Sequence, residues 1–119
     1  MARVAIPITE TSVAGVNQPT ATTGNSSENM SLAENDGLIL LEAFNENATA
    51  TATVTIVANR EEAGLKIENK VITLAKKGEA GGIQLIRIPA PQVVNQTTPA
   101  GQVFVNVSSN EVNFRAYHV

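Results

Sequence analysis

Short segments rich in β-branched residues, separated by turn residues, recur about every ten residues along most of this chain. They are Arg3–Ile8, Met30–Glu34, Gly37–Phe44, Ala50–Ala58, Lys70–Ala75, Ile83–Ile88, Gln102–Ser108 and Glu111–Val119. From Met30 onward no apolar pattern has a convincing helical period. This spacing predicts an all-β fold: an antiparallel, jelly-roll-like β-sandwich of seven or eight short strands.

Alternation within the segments predicts which side chains face the core. The threonines of Ala50–Ala58 alternate with Ala52, Val54 and Ile56, which places the apolar set inward and the threonines in solvent. The same reasoning predicts a core that also contains Ile72, Leu74, Val103, Val105, Val107, Val112, Phe114 and Ala116.

Two segments, Gly37–Phe44 and Ile83–Ile88, are apolar on both faces. We assign their alternating residues Leu38, Leu40, Ile83 and Leu85 to the core. In a two-layer sandwich only one face of each sheet is buried, so the opposite set needs another cover. The sequence therefore predicts that Ile39, Leu41, Ile86 and Ile88 contact a partner subunit or lie beneath the N-terminal segment.

The N-terminal segment has a different composition from the rest of the chain. Residues 9–29 are rich in Thr, Ser, Asn and Gly and contain few apolar residues, too few to form a core of their own. We divide the chain into an arm, residues 1–29, and a sandwich domain, residues 30–119. The arm is either a disordered tail or an extended segment that becomes ordered on a neighbouring subunit. The candidate interface residues are Arg3, Val4, Ile6, Ile8, Val13, Val16, Ile39, Leu41, Ile86 and Ile88.

Composition argues against most kinds of chemistry. The chain has no cysteine and one histidine, His118, which we expect to lie exposed at the end of the last strand without a catalytic partner. Asp36 is explained by the turn sequence Asn35-Asp36-Gly37, which is typical of a tight hairpin turn. We therefore expect no enzyme activity, no metal site and no cofactor. A net charge of −3, with no long apolar run, also argues against binding to nucleic acid or spanning a membrane.

Several short motifs together resemble a known family. Asn35-Asp36-Gly37 leads into an apolar strand, "KVITLA" precedes a glycine-containing turn at residues 78–82, and "IRIPAPQVVNQ" precedes a Val-Phe-Val strand and the final "VNFRAYHV". Over Glu34–Val119 this layout resembles the small virion proteins of tailed bacteriophages that are often encoded beside the major capsid protein.

The resemblance implies a capsid-decoration, or cement, protein with a β-sandwich fold. It implies a homotrimer at local three-fold positions of the capsid, with the major capsid protein as its partner. The protein would be made in the cytoplasm of the bacterial host and reside on the virion surface. Arg3–Asn29 would then be the lattice-binding segment.

Two other function classes remain as alternatives. The chain resembles a virion component closely enough to be a receptor- or glycan-binding domain of a phage head fibre or tail. Sugar sites usually stack on exposed aromatic side chains, for which Phe44, Phe104 and Tyr117 are the candidates. A small hydrolase is disfavoured because the residue types of a catalytic constellation are missing.

Overall fold

A computed structural model describes residues 3–58, 61–62, 65–66, 68–97 and 100–119, with the backbone alone described at 61–62, 65–66 and 97. These residues form thirteen strands and one short helix. The strands are β1 (Val4–Ala5), β2 (Ile8–Glu10), β3 (Thr22–Thr23), β4 (Met30–Leu32), β5 (Ile39–Asn45), β6 (Ala52–Ile56), β7 (Glu61–Glu62), β8 (Leu65–Lys66), β9 (Lys70–Leu74), β10 (Ile83–Arg87), β11 (Asn95–Thr97), β12 (Ala100–Val107) and β13 (Val112–His118), and the helix is α1 (Pro91–Val94). The prediction of an all-β fold is confirmed.

The strands form two main sheets and a small ribbon. The first sheet has the order β1-β4-β12-β6-β9, with β11 also paired to β12, and the second has the order β10-β5-β13-β2, with β3 also paired to β13. Among the described residues, strands β7 and β8 pair only with each other. Every strand longer than three residues has antiparallel neighbours in its own sheet.

Both sheets are mixed, so the prediction of a purely antiparallel arrangement is wrong. Strand β1 runs parallel to β4, and β2 runs parallel to β13. Both parallel pairs involve the N-terminal segment. Parallel neighbours require a long connection, whereas hairpin-linked strands are antiparallel, and each of these two pairs joins segments that are far apart in the sequence.

One hydrophobic core receives side chains from both sheets. Strand β5 alternates buried and half-buried residues along its full length, as do β6, most of β12 and the first five residues of β13. The fully buried residues include Met30, Leu32, Val54, Ile56, Leu74, Val103 and Val105 from the first sheet, and Leu41, Ala43, Val112, Phe114 and Ala116 from the second. The predicted inward residues of β6, β12 and β13 are confirmed.

The predicted orientation of β5 and β10 is reversed. Ile39, Leu41 and Ile88 are at most 1% exposed, and Ile86 is 9% exposed, because all four point into the chain's own core. They are therefore not a partner interface. The set that we assigned to the core faces outward instead: Leu38 is 50% exposed, Ile83 and Leu85 are each 65% exposed, and Leu40 is half-buried.

The N-terminal segment contributes strands to both main sheets. The predicted strand Arg3–Ile8 is two strands, because Pro7 interrupts it: β1 joins the first sheet and β2 the second. Between them Ile6 enters the core, with 2% of its surface exposed. Farther along, Gly24 N–H donates to the Val112 carbonyl at 2.7 Å. The N-terminal segment is thus part of both main sheets, and strand pairing continues across the division at residues 29 and 30.

The segment between β10 and β12 contains a short helix and a short strand. The helix is α1, which has Pro91 in its first turn and Val94 buried against the core, and the strand is β11. The side chain of Asn95 in β11 bonds the loop that precedes β5. This contact fixes one wall of the cleft described below.

Candidate partner-binding site

The outer face of the second sheet carries three rows of cross-strand neighbours. Register pairs Ile83 with Phe44, Leu85 with Glu42 and Arg87 with Leu40 across β10 and β5. On the other side of β5, its residues Phe44, Glu42 and Leu40 pair in that order with Asn113, Arg115 and Tyr117 of β13. The β10 side of this face therefore carries the apolar Ile83 and Leu85 together with Arg87, and the β13 side carries polar or aromatic side chains.

A charged pair occupies the centre of this face. The Arg115 guanidinium lies 3.3 Å from a Glu42 carboxylate oxygen and 4.9 Å from the centre of the Phe44 ring. The Tyr117 hydroxyl donates to the same carboxylate oxygen at 3.3 Å. Partial burial and the nearby Glu42 raise the pKa of Tyr117. The polar half of the face is thus satisfied internally and needs no partner for its charges.

The apolar half has no such cover. We call Leu38, Leu40, Ile83 and Leu85 the apolar band. Strand β10 is the edge strand of its sheet, and within the described residues it pairs only with β5. An edge strand that exposes large apolar side chains together with unpaired backbone groups is a surface prone to protein association.

A loop next to this face is held at both ends by hydrogen bonds to β13, which we call its two anchors. The Thr11 backbone N–H and its hydroxyl both donate to the His118 carbonyl, at 3.1 and 2.8 Å. Arg115 Nε donates to the Pro19 carbonyl at 2.9 Å. Between the anchors, residues 12–18 are exposed, and we call them the projecting loop. It carries two exposed valines: Val13, which is fully exposed, and Val16, at 46%.

A histidine lies between two carboxylates at the base of the projecting loop. His118 Nδ1 is 2.8 Å from a Glu10 carboxylate oxygen, and His118 Nε2 is 2.7 Å from an Asp36 carboxylate oxygen. The His118 side chain is 25% exposed, against 70% for Glu10 and 57% for Asp36. We call these three residues the histidine cluster.

Asp36 reaches this position because of the turn around it. Gly37 has φ 90°, which glycine adopts without strain. The Gly37 N–H donates to the Asn35 side chain, and the Leu38 N–H donates to the Asp36 side chain. The turn does not close a hairpin as predicted, because it carries the chain from β4 in the first sheet to β5 in the second.

Buried Asn35 holds this turn against the rest of the protein. Its side-chain N–H groups donate to the Pro89 carbonyl and to the Asn95 side chain, at 2.9 and 3.0 Å. Asn95 in turn donates to the Asn35 carbonyl. These bonds leave a cleft of about 320 Å³, lined by Glu10, Glu34, Asn35, Asp36, Asn95, Gly101 and His118.

The candidate interface residues from the sequence fall into two groups. Arg3 is engaged within the chain: it stacks 4.0 Å from the centre of the Phe104 ring and bonds Asn106. Val4, Ile6 and Ile8 belong to the core or pack against it. Only Val13 and Val16 of the original set are exposed on the surface.

The sequence interpretation missed the histidine cluster. We expected His118 to be an exposed, frayed terminal residue without a catalytic partner, but β13 remains paired to β2 and β5 through this residue. A signal was present in the sequence. His118 follows Val112, Phe114 and Ala116 at intervals of two residues, so it continues their inward-facing column where the core ends.

The cluster is arranged for ion pairing. With both ring nitrogens bonded to carboxylates, His118 has no free nitrogen to act as a general base on a substrate. Within the described residues, no group of three or more His, Cys, Asp or Glu side chains has the arrangement needed to hold a metal ion. The geometry favours a contact that ties three segments together.

No helix among the described residues has both the length and the apolar composition needed to cross a membrane. Comparisons with protein-family models, with curated proteins and with solved structures gave no significant match to this chain.

Proposed function

We propose that this protein is a virion structural protein, a capsid-decoration subunit that binds the outer capsid lattice of a tailed bacteriophage and stabilises it. The supporting observation is the exposed apolar surface that the fold presents in two separate patches, the apolar band of the second sheet and the valines of the projecting loop. This surface suits a protein partner better than a small substrate, since its residues are apolar and lie on a sheet edge and a loop.

Burying this surface would supply binding energy. Apolar area removed from water contributes roughly 25 cal/mol per Å², and an unpaired edge strand such as β10 can add backbone hydrogen bonds to a neighbouring chain. Binding only to the assembled lattice would stabilise that lattice by mass action. In this proposal the major capsid protein is the partner of the projecting loop.

The proposal includes an assembly state and a location. Each subunit has a jelly-roll-like sandwich fold. The subunits form trimers at local three-fold positions of the capsid. They reside on the virion surface after synthesis in the host cytoplasm. A cyclic trimer needs two different patches on each subunit. The apolar band can serve as one of these two patches, which leaves the projecting loop to contact the capsid.

Binding to capsids tests the proposal directly. The purified protein should co-sediment saturably with expanded capsids assembled from the major capsid protein encoded in the same genome. Introducing aspartate at both Val13 and Val16 should weaken this binding by at least about tenfold, because two charged side chains would have to be desolvated at the contact.

A matched control is Val71→Asp. Val71 is 57% exposed and lies on β9 of the first sheet, away from the projecting loop. This variant should bind as the unmodified protein does. Absence of saturable binding by the unmodified protein would overturn the proposal. Equal weakening by both variants would show that the projecting loop is not the capsid contact.

The cleft favours a second candidate, a receptor- or glycan-binding domain of a head fibre or tail component. Carboxylates and amides of its lining can accept and donate hydrogen bonds to sugar hydroxyls. However, its seven lining residues include no Phe, Tyr or Trp side chain for stacking on a sugar ring. A glycan array with the purified protein separates the candidates, since specific glycan binding without capsid binding would favour the second.

A further inference from the structure

The histidine cluster joins segments that no nearby sequence connects. Glu10 ends β2, Asp36 lies in the turn before β5, and His118 ends β13. Glu10 and His118 are separated by 108 residues, and Asp36 and His118 by 82. Because Thr11 also bonds the His118 carbonyl, the base of the projecting loop is held by both the side chain and the backbone of this one residue.

The charges around His118 are all negative. Glu10 approaches from β2, and Asp36 and Glu34 come from the turn between β4 and β5. The residue opposite His118 on β5 is the apolar Ile39, and the other side of the cleft presents the uncharged Asn95 and Gly101. Among the described residues that line the cleft, the protonated ring therefore has two bonded carboxylates and no cation competing for them.

We propose that His118 is a pH-dependent latch that holds β2 and the base of the projecting loop against the second sheet. In the protonated ring both nitrogens carry a hydrogen, so both carboxylates receive a hydrogen bond. In the neutral ring only one nitrogen carries a hydrogen. Deprotonation therefore removes one of the two contacts and leaves a carboxylate facing a lone pair.

The two pKa values define the range in which the latch is closed. Hydrogen bonds to Asp36 and Glu10 raise the pKa of His118, and the hydrogen bond to His118 lowers the pKa of Asp36. The stability that protonated His118 contributes to the closed latch is fully present below the ordinary histidine pKa of about 6.5. It is lost as the pH rises through the higher pKa that His118 has in the folded state. The contribution of Asp36 is lost only as the pH falls through its lowered value. The latch is closed at mildly acidic pH and opens as the pH rises through the raised pKa of His118.

Opening acts locally on the projecting loop. Strand β2 is three residues long and pairs with β13 alone among the described residues. The second anchor, the hydrogen bond from Arg115 Nε to the Pro19 carbonyl, does not involve His118 or either carboxylate of the histidine cluster. Glu10 is the more exposed of the two carboxylates, at 70% against 57% for Asp36, so the neutral ring keeps its contact with Asp36 and releases Glu10. This release loosens one end of the projecting loop while the other end stays in place.

The titration of His118 tests the electrostatic half of the proposal. As the chain has a single histidine, its imidazole gives one set of ring proton signals, and NMR reads its pKa without an assignment problem. Glu10→Gln and Asp36→Asn should each shift this midpoint downward, and the double variant should return it to the ordinary histidine value. Glu111→Gln removes the same charge beside the opposite end of β13 and should leave the midpoint unchanged.

Hydrogen exchange tests the mechanical half. The protection factor of the Thr11 amide should fall about fivefold as the pH rises through the His118 midpoint, a factor expected from the loss of one hydrogen bond. Amides of the β5–β13 ladder should keep their protection factors. In His118→Gln the Thr11 protection factor should not follow this pH dependence.

Two results would overturn the latch. One is a His118 midpoint at or below the ordinary value that neither carboxylate variant moves. The other is a Thr11 protection factor that is constant with pH, or that changes equally in His118→Gln. Both measurements use the full chain without a partner, so the latch can fail while the proposed capsid binding holds, and the reverse.

Discussion

A chain that lacks residues 1–29 is expected to lose its fold, and not merely its ability to bind a partner. The deletion removes Ile6, a member of the core, together with Val4 and Ile8, which pack against it. It also removes the strands that pair with β4 and with one edge of β13. Burial of each such side chain contributes roughly 1.5–3 kcal/mol.

These losses add up to about 5 kcal/mol or more, which is comparable with the roughly 5–15 kcal/mol that stabilises a typical domain. Circular dichroism and urea denaturation of the truncated chain should show no cooperative unfolding transition. A truncated chain whose transition midpoint matches that of the full chain would contradict the placement of Ile6 in the core.

The matched control removes only the projecting loop. Residues 12–18 can be replaced by Gly-Ser-Gly-Ser, because the anchors at Thr11 and Pro19 bond positions only three residues apart on β13, a distance of about 10 Å along a strand. This variant should unfold at nearly the same urea concentration as the full chain. It is also the variant with which to test capsid binding, since it leaves the sandwich intact.

The second large effect is expected from two neighbouring leucines of β5. Leu41→Ala should lower the free energy of unfolding by about 2–5 kcal/mol, because Leu41 is fully buried and its truncation leaves a cavity. Leu40→Ala makes the same chemical change one residue earlier, on the outer face. It should cost about 1 kcal/mol or less.

Urea denaturation of the two variants measures this difference directly. The comparison is sensitive to the orientation of β5, since a shift of register by one residue exchanges the two faces of the strand. A larger loss from Leu40→Ala than from Leu41→Ala would mean that β5 lies in the orientation that alternation alone suggested, with Leu38 and Leu40 inside.

The positions of the long strands could be predicted from the sequence because they alternate clearly or end at turn residues. The faces of β5 were harder, since apolar residues occupy both. The deciding residue was Glu42, which shares its face with Leu40 and Phe44 and cannot be buried without a partner. Strand β10 offers a weaker clue, because Gln84 lies on one face and Arg87 on the other.

The role of the N-terminal segment could not be predicted from its composition. Its contacts with the sandwich are largely hydrogen bonds to distant residues, such as that from Arg115 to Pro19 and that from Gly24 to Val112. Such bonds leave no periodic pattern in the sequence. A polar segment that completes a sheet therefore has the same composition as a polar segment that remains disordered.

The histidine cluster illustrates the same limit for a site. Asp36 was correctly assigned to a turn, and the Gly37 backbone has the expected positive φ. The contact between Asp36 and His118 could not be predicted from the sequence, because the turn connects two sheets and the two residues are 82 positions apart. The pairing of the only aspartate with the only histidine depends on the complete fold.

The parallel pairing of β2 with β13 has a consequence for synthesis. The ribosome makes β2 about 100 residues before its partner, which at roughly 5–20 residues per second is a delay of about 5–20 seconds. During this interval neither β2 nor β3 has the strand that it will join. The Thr- and Asn-rich composition of residues 9–29 suits a segment that stays exposed to solvent during this interval. It exposes little apolar surface through which nascent chains could aggregate.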